Sequence, residues 1–394
     1  MRIALFADAF APPLNSVSTI LERLVRETES RGGEARVFTA ADPRHPQSRS
    51  GPAHRFSSIA WPFHPELRVA MPATRTVERL LAQFKPSLVH AATPFGVGLA
   101  GRRAAHAMHL PFVTSYHIDL AASARYYRLG ALAPHSWRYL RWFHDGGRRT
   151  FCPTLASLQT LRDRGFRRLA VWARGVDTTR FAPTRRTRAL RLRLGVDDDA
   201  IVIAYVGRMA REKGLDSLLT AMACLRHLRS DLVFAFVGDG PYLEHCRRAA
   251  QGRAVFLGPL EGDALAAFYA SSDIAVAPSS TDTFADTLVE SMASGLPIVA
   301  AGCPTTREII GAAGTFHTPD DGPQLANRIL ELVANGARRR ALGRLARLRS
   351  AQFSWRAAFD ELFDEYEAVL SGREITLAPG SRRRAGQLAP TAPR

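Results

Sequence analysis

Short apolar runs alternate with longer amphipathic stretches along most of this chain, and the alternation predicts a repeated strand–helix pattern. Arg2 to Ala7 reads as a strand, followed by a polar turn from Asp8 to Ser16. A helix is expected from about Val17 to Arg31, with Ile20, Leu21, Leu24 and Val25 on one face, and Gly32-Gly33 ends it. Glu34 to Thr39 is the next strand, residues 40–54 read as loop, and a helix covers about 74–84. Ser87 to Ala92, Pro111 to Tyr116, Phe151 to Thr154 and Leu169 to Trp172 are strands, with a helix from Gly96 to Met108 and helical segments within 118–149. The polar stretch 173–183 reads as a connection, after which the pattern restarts. Strands are expected at Ile201–Val206, Leu232–Val237, Ala254–Leu257, Ile274–Pro278 and Pro297–Ala301. Helices are expected near 215–228, 242–250 and 264–270, from Asp286, and near 323–335, 337–349 and 355–370. The fold class is therefore α/β, with two doubly wound, mostly parallel domains in tandem.

Composition narrows the class. The chain has 394 residues and 46% hydrophobic content, enough for two real cores. Its four cysteines form no CxxC pair, which fits a reducing compartment and argues against a zinc site. The first ten residues reach Asp8 too soon for a signal peptide, and no 18-residue apolar run is present. The net charge of +17 invites a nucleic-acid or anionic-membrane reading. No nucleic-acid motif accompanies it, so a peripheral anionic surface is preferred. All but two of the basic residues are Arg, the exceptions being Lys85 and Lys213. That skew lowers the weight of any single Arg and raises that of Lys213, a point charge suited to phosphate.

The candidate chemistry lies at strand ends. Residues 279–301, SSTDTFADTLVESMASGLPIVAA, run from a polar turn into a helix and the next strand. A helix N-terminus offers free amides to an anion. Asp282 in the turn and Glu290 in the helix are carboxylates that accept from hydroxyls. The combination suits a nucleotide sugar, although Asp282 or Thr283 could equally cap the helix and Glu290 could be a solvated residue. Arg208 and Lys213 sit in GRMAREKG after an earlier strand, where two cations could hold a diphosphate. Gly238-Asp239-Gly240-Pro241 forms a further tight turn. His117 ends a strand and could donate to a sugar hydroxyl, while His54, His90, His106, His135 and His144 read as structural. Asp197-Asp198-Asp199 has a DxD spacing but stands before a strand, and reads as a solvated turn with no metal. Residues 118–149 hold two helical segments dense in Arg and aromatics, from Arg125 to Arg128 and from Trp137 to Phe143, and read as sheet-covering helices with solvated Arg or as an interfacial patch, the former preferred.

Taken together, these stretches resemble the retaining GT-B glycosyltransferases of family 4, and within them the GDP-mannose-dependent α-mannosyltransferases. The resemblance runs from residue 1 to about 370. It rests on the N-terminal strand–turn–helix with Asn15, on TSYHID (114–119), RGVDTTRF (174–181), GRMAREKG (207–214) and VGDGP (237–241), and on the 278–300 stretch. It implies two Rossmann-like domains facing a cleft: an acceptor-side domain at 1–173, a linker at 174–183, and a nucleotide-sugar domain at 184–354. A helix at 355–370 would cross back, while 371–394, outside the resemblance and rich in Arg, Pro, Gly and Ala, reads as a disordered basic tail. The resemblance further implies that Ser16, Arg208 and Lys213 hold the donor diphosphate and that Glu290 takes the ribose. Asp282 with Phe284 and Ala285 would hold the donor sugar, and His117 would face the reacting sugar. His117 and Asp282 would thus be the catalytic pair.

No metal or other cofactor would be needed, the cations and helix dipole neutralising the leaving group. Three positions depart from the family pattern: Asp282 stands where Glu is usual, and Ala285 and Ser16 each stand where Gly is usual. The expected partners are a GDP-mannose donor and a lipid-linked or glycolipid acceptor, with the protein cytoplasmic and peripheral on the inner membrane face. The alternatives are a UDP-hexose-dependent enzyme of the same family, a non-catalytic nucleotide-sugar binder, a nucleic-acid binder and a nucleotide-sugar epimerase.

Overall fold

The computed structural model describes residues 1–8, 10, 16–42, 53–61, 64–117, 133–197, 199–226, 228, 231–282, 284 and 286–373. Among them it forms two compact units. One comprises 1–117, 133–173 and 357–373, and the other 174–356.

The first unit begins with β1 (Arg2–Ala7), α1 (Ser16–Ser30) and β2 (Glu34–Ala40), then β3 (Ala53–Phe56), β4 (Ile59–Trp61) and β5 (His64–Val69). It continues through α2 (Thr74–Phe84), β6 (Leu88–Ala91), α3 (Gly96–Ala107) and β7 (Phe112–Ser115) to α4 (Ala133–Asp145), β8 (Arg149–Cys152), α5 (Leu155–Asp163) and β9 (Leu169–Val171). The main sheet has the order β3-β2-β1-β6-β7-β8-β9, with parallel neighbours. Ile3 to Ala7 are fully buried, as strands covered on both faces must be, and this is why β1 reads as an unbroken apolar run. Ile20, Leu21, Leu24 and Val25 are the buried face of α1, as the periodicity predicts. A Cβ on Gly101 of α3 would lie 2.5 Å from the Phe6 ring, so only glycine lets this helix approach β1 so closely.

The loop expected over 40–54 is corrected at its end. Ala53 and His54 begin β3, a short edge strand, and β4 and β5 add an antiparallel hairpin that the pattern does not predict. Edge strands this short, written with Arg, His and Pro, lack the apolar run that marks a central strand.

The second unit contains α6 (Arg188–Arg193), β10 (Ile201–Val206), α7 (Leu215–Leu225), β11 (Leu232–Val237), α8 (Leu243–Ala250) and β12 (Ala254–Phe256). Then come α9 (Gly262–Ser271), β13 (Ile274–Ala277), α10 (Asp286–Ala293), β14 (Ile298–Ala301), α11 (Pro304–Ile310) and β15 (Gly314–His317). It closes with α12 (Gly322–Ala334) and α13 (Gly336–Ser350). Its sheet is parallel in the order β12-β11-β10-β13-β14-β15. The stretch read as a connection contributes to this unit's core, since Val176 and Phe181 are buried there. Arg347 of α13 fastens it by donating to the carbonyls of Thr178 and Phe181 at 2.9 Å each. The final helix, α14 (Trp355–Ser371), belongs from Ala357 onward to the first unit. There Phe359, Leu362 and Tyr366 are buried, and Glu365 takes both arms of the Arg149 guanidinium at 2.8 and 3.2 Å.

Arg191 is the buried polar fastening of the second unit. It is 1% exposed and donates to the carbonyls of Asp197, Ala200 and Ser271 and to the Asp273 carboxylate at 3.0 Å. Removing it leaves several buried acceptors without their donor and takes one of two arginines from Asp273, which keeps Arg186 and the Val202 amide. Arg191→Ala should therefore lower stability by ~3–5 kcal/mol in urea unfolding, and Arg191→Lys, lacking the planar fork, should restore little.

In the first unit, Asp8 follows β1 and bridges to the start of α3. Its carboxylate accepts from the Val97 amide at 2.9 Å and the Thr93 hydroxyl at 2.5 Å. Burial outweighs these bonds and pushes its carboxyl up to about 6. The folded state thus holds the proton more tightly than the unfolded chain. The resulting stabilisation is present in acid and is lost as pH rises from roughly 4 through about 6. The stability difference between wild type and Asp8→Asn, followed by urea midpoint, should change across that window and be flat above it.

Candidate functional site

Ligands of doubly wound sheets bind beyond the carboxyl ends of the strands, where the strand order reverses. In the second unit that point lies between β10 and β13, which pair Ile203 with Ile274 and Ala204 with Ala275. The loops after these strands, 207–214 and 278–285, therefore leave the sheet side by side. The first closes in a short 3-10 turn, Arg211–Lys213, followed by Gly214 at φ +69°. A Cβ on Gly214 would lie 2.3 Å from the Pro278 carbonyl oxygen, so glycine is needed both for the left-handed backbone and for the close approach. The Thr281 hydroxyl adds a tie to the Glu212 carbonyl at 3.1 Å. With the loops held this way, the Lys213 ammonium ion-pairs with the Asp282 carboxylate. Each side chain is about a quarter exposed, so the pair faces solvent on one side.

Arg208 is half-buried in the same loop. Its carbonyl accepts from the Tyr205 hydroxyl at 2.9 Å, and the next amide, Met209, donates to the Asp239 carbonyl at 2.8 Å. Met209 in turn accepts from the Tyr242 amide at 2.9 Å. The Gly238–Pro241 turn is thus stitched to the loop that carries Arg208. Burial raises the Tyr205 phenol well above its ordinary value, so it stays a neutral donor.

Phe284 packs its ring into the core, edge-on to Phe353 at 6.4 Å, and so anchors the backbone before α10. Ala285 and Thr283 lie outside the described residues. Glu290, half-buried in α10, accepts from the Tyr269 hydroxyl at 3.3 Å. Tyr269 is itself fully buried, and burial, with the carboxylates of Glu290 and Asp286, raises its phenol well above the ordinary value. The start of α10 carries a feature the sequence reading missed. Asp286, in its first turn, is ion-paired at 2.7 Å with Arg174, which is 2% exposed and lies 5.6 Å from the Phe284 ring centroid. Arg174 belongs to the quoted motif RGVDTTRF, but in so Arg-rich a chain nothing local marks it as a buried partner of a residue 112 positions away.

In the first unit His117 follows β7, half-buried, with its Nε2 2.8 Å from the Ser115 hydroxyl and its ring edge-on to Trp172 at 5.8 Å. Ser16 opens α1, and its side chain, like Asn15 and Asp119, lies outside the described residues. The described part of the aromatic-rich stretch is α4. Leu140 and Phe143 are buried against the sheet, while Trp142 is 47% exposed under Arg102. Asp197 accepts from the amides of Asp199 and Ala200, a local turn, and Asp198 is outside the described residues. The structure thus gathers Arg208, Lys213, Asp282, Phe284 and Glu290 on the second unit and keeps His117 on the first.

A methyl group at Gly214 should disturb the contact that joins the two loops. Gly214→Ala is expected to cost ~1–3 kcal/mol of stability, read as a shift in the urea midpoint.

Comparison with known proteins follows the same division. The family described as Glycosyltransferase Family 4 matches residues 17–180, and that described as Glycosyl transferases group 1 matches residues 200–335. A GDP-mannose-dependent alpha-mannosyltransferase from Mycolicibacterium smegmatis is 33% identical over 387 residues, covering 96% of this chain and 100% of that protein. The sulfoquinovosyl transferase SQD2 of Arabidopsis thaliana is 31% identical over 385 residues, covering 94% of this chain and 74% of that protein. Among solved structures, sucrose-phosphate synthase from Thermosynechococcus elongatus superposes with a TM-score of 0.76 at 20% identity, covering 94% of this chain and 99% of that one. The chain belongs to glycosyltransferase family 4 and is a hexosyltransferase built from two Rossmann-like units of the GT-B fold.

Proposed function

We propose that this hexosyltransferase moves mannose from GDP-mannose to a lipid-linked or glycolipid acceptor, with retention at the anomeric carbon and without a metal ion. The observation that carries the donor-site reading is the Lys213–Asp282 pair joining the loops after β10 and β13. A cation and a carboxylate kept together at the switch point are the two kinds of group that a sugar diphosphate requires. On donor binding, a phosphate oxygen takes the place of Asp282 beside Lys213, with Arg208 as second cation. Asp282, so released, accepts from the donor sugar's hydroxyls, beside the backbone at Phe284 and Ala285. Glu290, held by Tyr269, accepts from the ribose. Ser16 completes the diphosphate contacts, and His117 contacts the reacting sugar.

In the reaction the acceptor oxygen attacks the anomeric carbon from the face the diphosphate leaves. The carbon–oxygen bond to the phosphate breaks, and its electron pair departs with GDP. The acceptor's proton passes to the departing phosphate oxygen. The two cations stabilise the charge that develops there. Mannose is favoured by the full-length similarity to an enzyme named for GDP-mannose. The similarity to a sulfoquinovosyl transferase shows that relatives matched over this length also transfer other sugars, and it favours as second reading the UDP-hexose donor that the sequence leaves open. The acceptor assignment draws on the net charge of +17 and implies work at the cytoplasmic membrane face. Among the described residues no helix is long and apolar enough to cross a membrane.

A donor screen by thermal shift and by donor turnover tests the reading. GDP and GDP-mannose should raise the melting temperature and UDP should not; the reverse order would favour the second reading. Lys213→Ala should weaken nucleotide binding by about 10- to 100-fold, the loss of one charged hydrogen bond worth ~1.5–3 kcal/mol. Unchanged affinity in that variant would overturn the diphosphate assignment.

A further inference from the structure

A line of hydrogen-bonding groups runs through the buried interior of the first unit and ends at His117. The Tyr366 hydroxyl of α14 is 2.6 Å from Nδ1 of His90 in β6. Nε2 of His90 is 3.0 Å from the Ser115 hydroxyl at the end of β7, and that hydroxyl is 2.8 Å from Nε2 of His117. Tyr366, His90 and Ser115 are all buried, and Phe151 and Trp172 flank the His90 ring at 5.8 and 5.9 Å. Burial pushes the His90 imidazole down to about 3 and raises the Tyr366 phenol, so both are neutral. A neutral imidazole has one donor and one acceptor nitrogen, and a phenol has one proton to give. A buried hydroxyl left without an acceptor is unfavourable, and among the described residues Tyr366 reaches the His90 ring nitrogen. The direction of the line follows from that end. Tyr366 donates to Nδ1 of His90, so Nε2 of His90 carries the proton and donates to Ser115. Ser115 then gives its own proton to Nε2 of His117.

We propose that Tyr366, His90 and Ser115 are positioning residues that hold His117 in the tautomer with its proton on Nδ1, so that it offers an N–H donor to a sugar oxygen. The donor role rests on the reading that His117 contacts the reacting sugar; the tautomer itself does not. An N–H in this position suits a neutral oxygen such as a hydroxyl, and it leaves His117 unable to act as a base through Nδ1. The reach of the line is notable in sequence terms, since 276 positions separate His90 from Tyr366.

The test is the ring nitrogen spectrum of the full-length protein labelled with nitrogen-15 histidine, with signals assigned by single His variants. In the wild type at neutral pH, His117 should have a protonated Nδ1 and a bare Nε2, and His90 the opposite. Tyr366→Phe removes one hydroxyl, and Ser115→Ala cuts the last link. Each should move His117 toward a mixture of tautomers and lower kcat by up to about tenfold, the worth of one neutral hydrogen bond, with KM for the donor nearly unchanged. Ser115→Thr, which keeps the hydroxyl, should restore both. A wild-type His117 protonated on Nε2, or one whose tautomer is the same in both variants, would overturn the proposal. Sugar transfer by His117→Ala at the wild-type rate would instead remove the sugar contact and leave the spectra as described.

Discussion

Two parallel strands, β10 and β13, lie side by side while their crossovers run to opposite sides of the sheet, and the chemistry of the second unit depends on that adjacency. Right-handed crossovers from neighbouring strands must diverge where the order reverses, so the loops that begin them leave a notch that no helix fills. Lys213 and Asp282 meet there because the Gly214 backbone can lie against the Pro278 carbonyl and because Thr281 ties one loop to the other. The same constraint operates in the first unit between β1 and β6, where Asp8 and Thr93 join the strand ends. In one unit the junction is an ion pair open to solvent on one side. In the other it is a carboxyl that burial holds toward its neutral form.

The arginines divide by environment. Composition makes them look like interchangeable surface charge, yet several are internal fasteners. Arg191 collects the carbonyls of Asp197, Ala200 and Ser271, Arg349 those of Glu308 and Ile309, and Arg347 those around residues 178–181. Arg149 takes a carboxylate with both arms and Arg174 takes one at a helix start. A planar guanidinium with five donors can satisfy several buried acceptors at once, which an ammonium on a flexible stem does less well. The two lysines of the chain are accordingly not spent on such fastening. Lys213 instead sits at the notch, partly solvated, paired with Asp282.

The polar interior of the first unit follows a different rule. Its buried histidines, His90 and His144, are both pushed down to about 3 by burial and act as neutral hydrogen-bonding rings. Neutral groups can be lined up without the desolvation that a buried charge suffers. The line from Tyr366 to His117 is of this kind, whereas the second unit holds its site with charged pairs. A line of neutral groups in one unit and charged pairs in the other thus follow from the two kinds of polar interior.

Much of this protein was legible before any coordinates. The β–α alternation was readable because parallel strands buried on both faces must be continuous apolar runs, and the loops with Arg208, Lys213 and Asp282, and the helix with Glu290, stood out because they follow such runs. Not every short strand was readable: the edge strands β9 and β12 were, whereas β3, the β4–β5 hairpin and β15 are too short, or too broken by polar residues and glycine, to rise above their surroundings. Nor were the partnerships readable. Lys213 and Asp282 are 69 positions apart, Arg174 and Asp286 112, and His90 and Tyr366 276. Local sequence determines which residues form a strand and which loop follows it, because those depend on neighbours in the chain. Which charge meets which, and which way a proton points, was decided by tertiary packing, because only the folded sheets bring those groups within hydrogen-bonding distance.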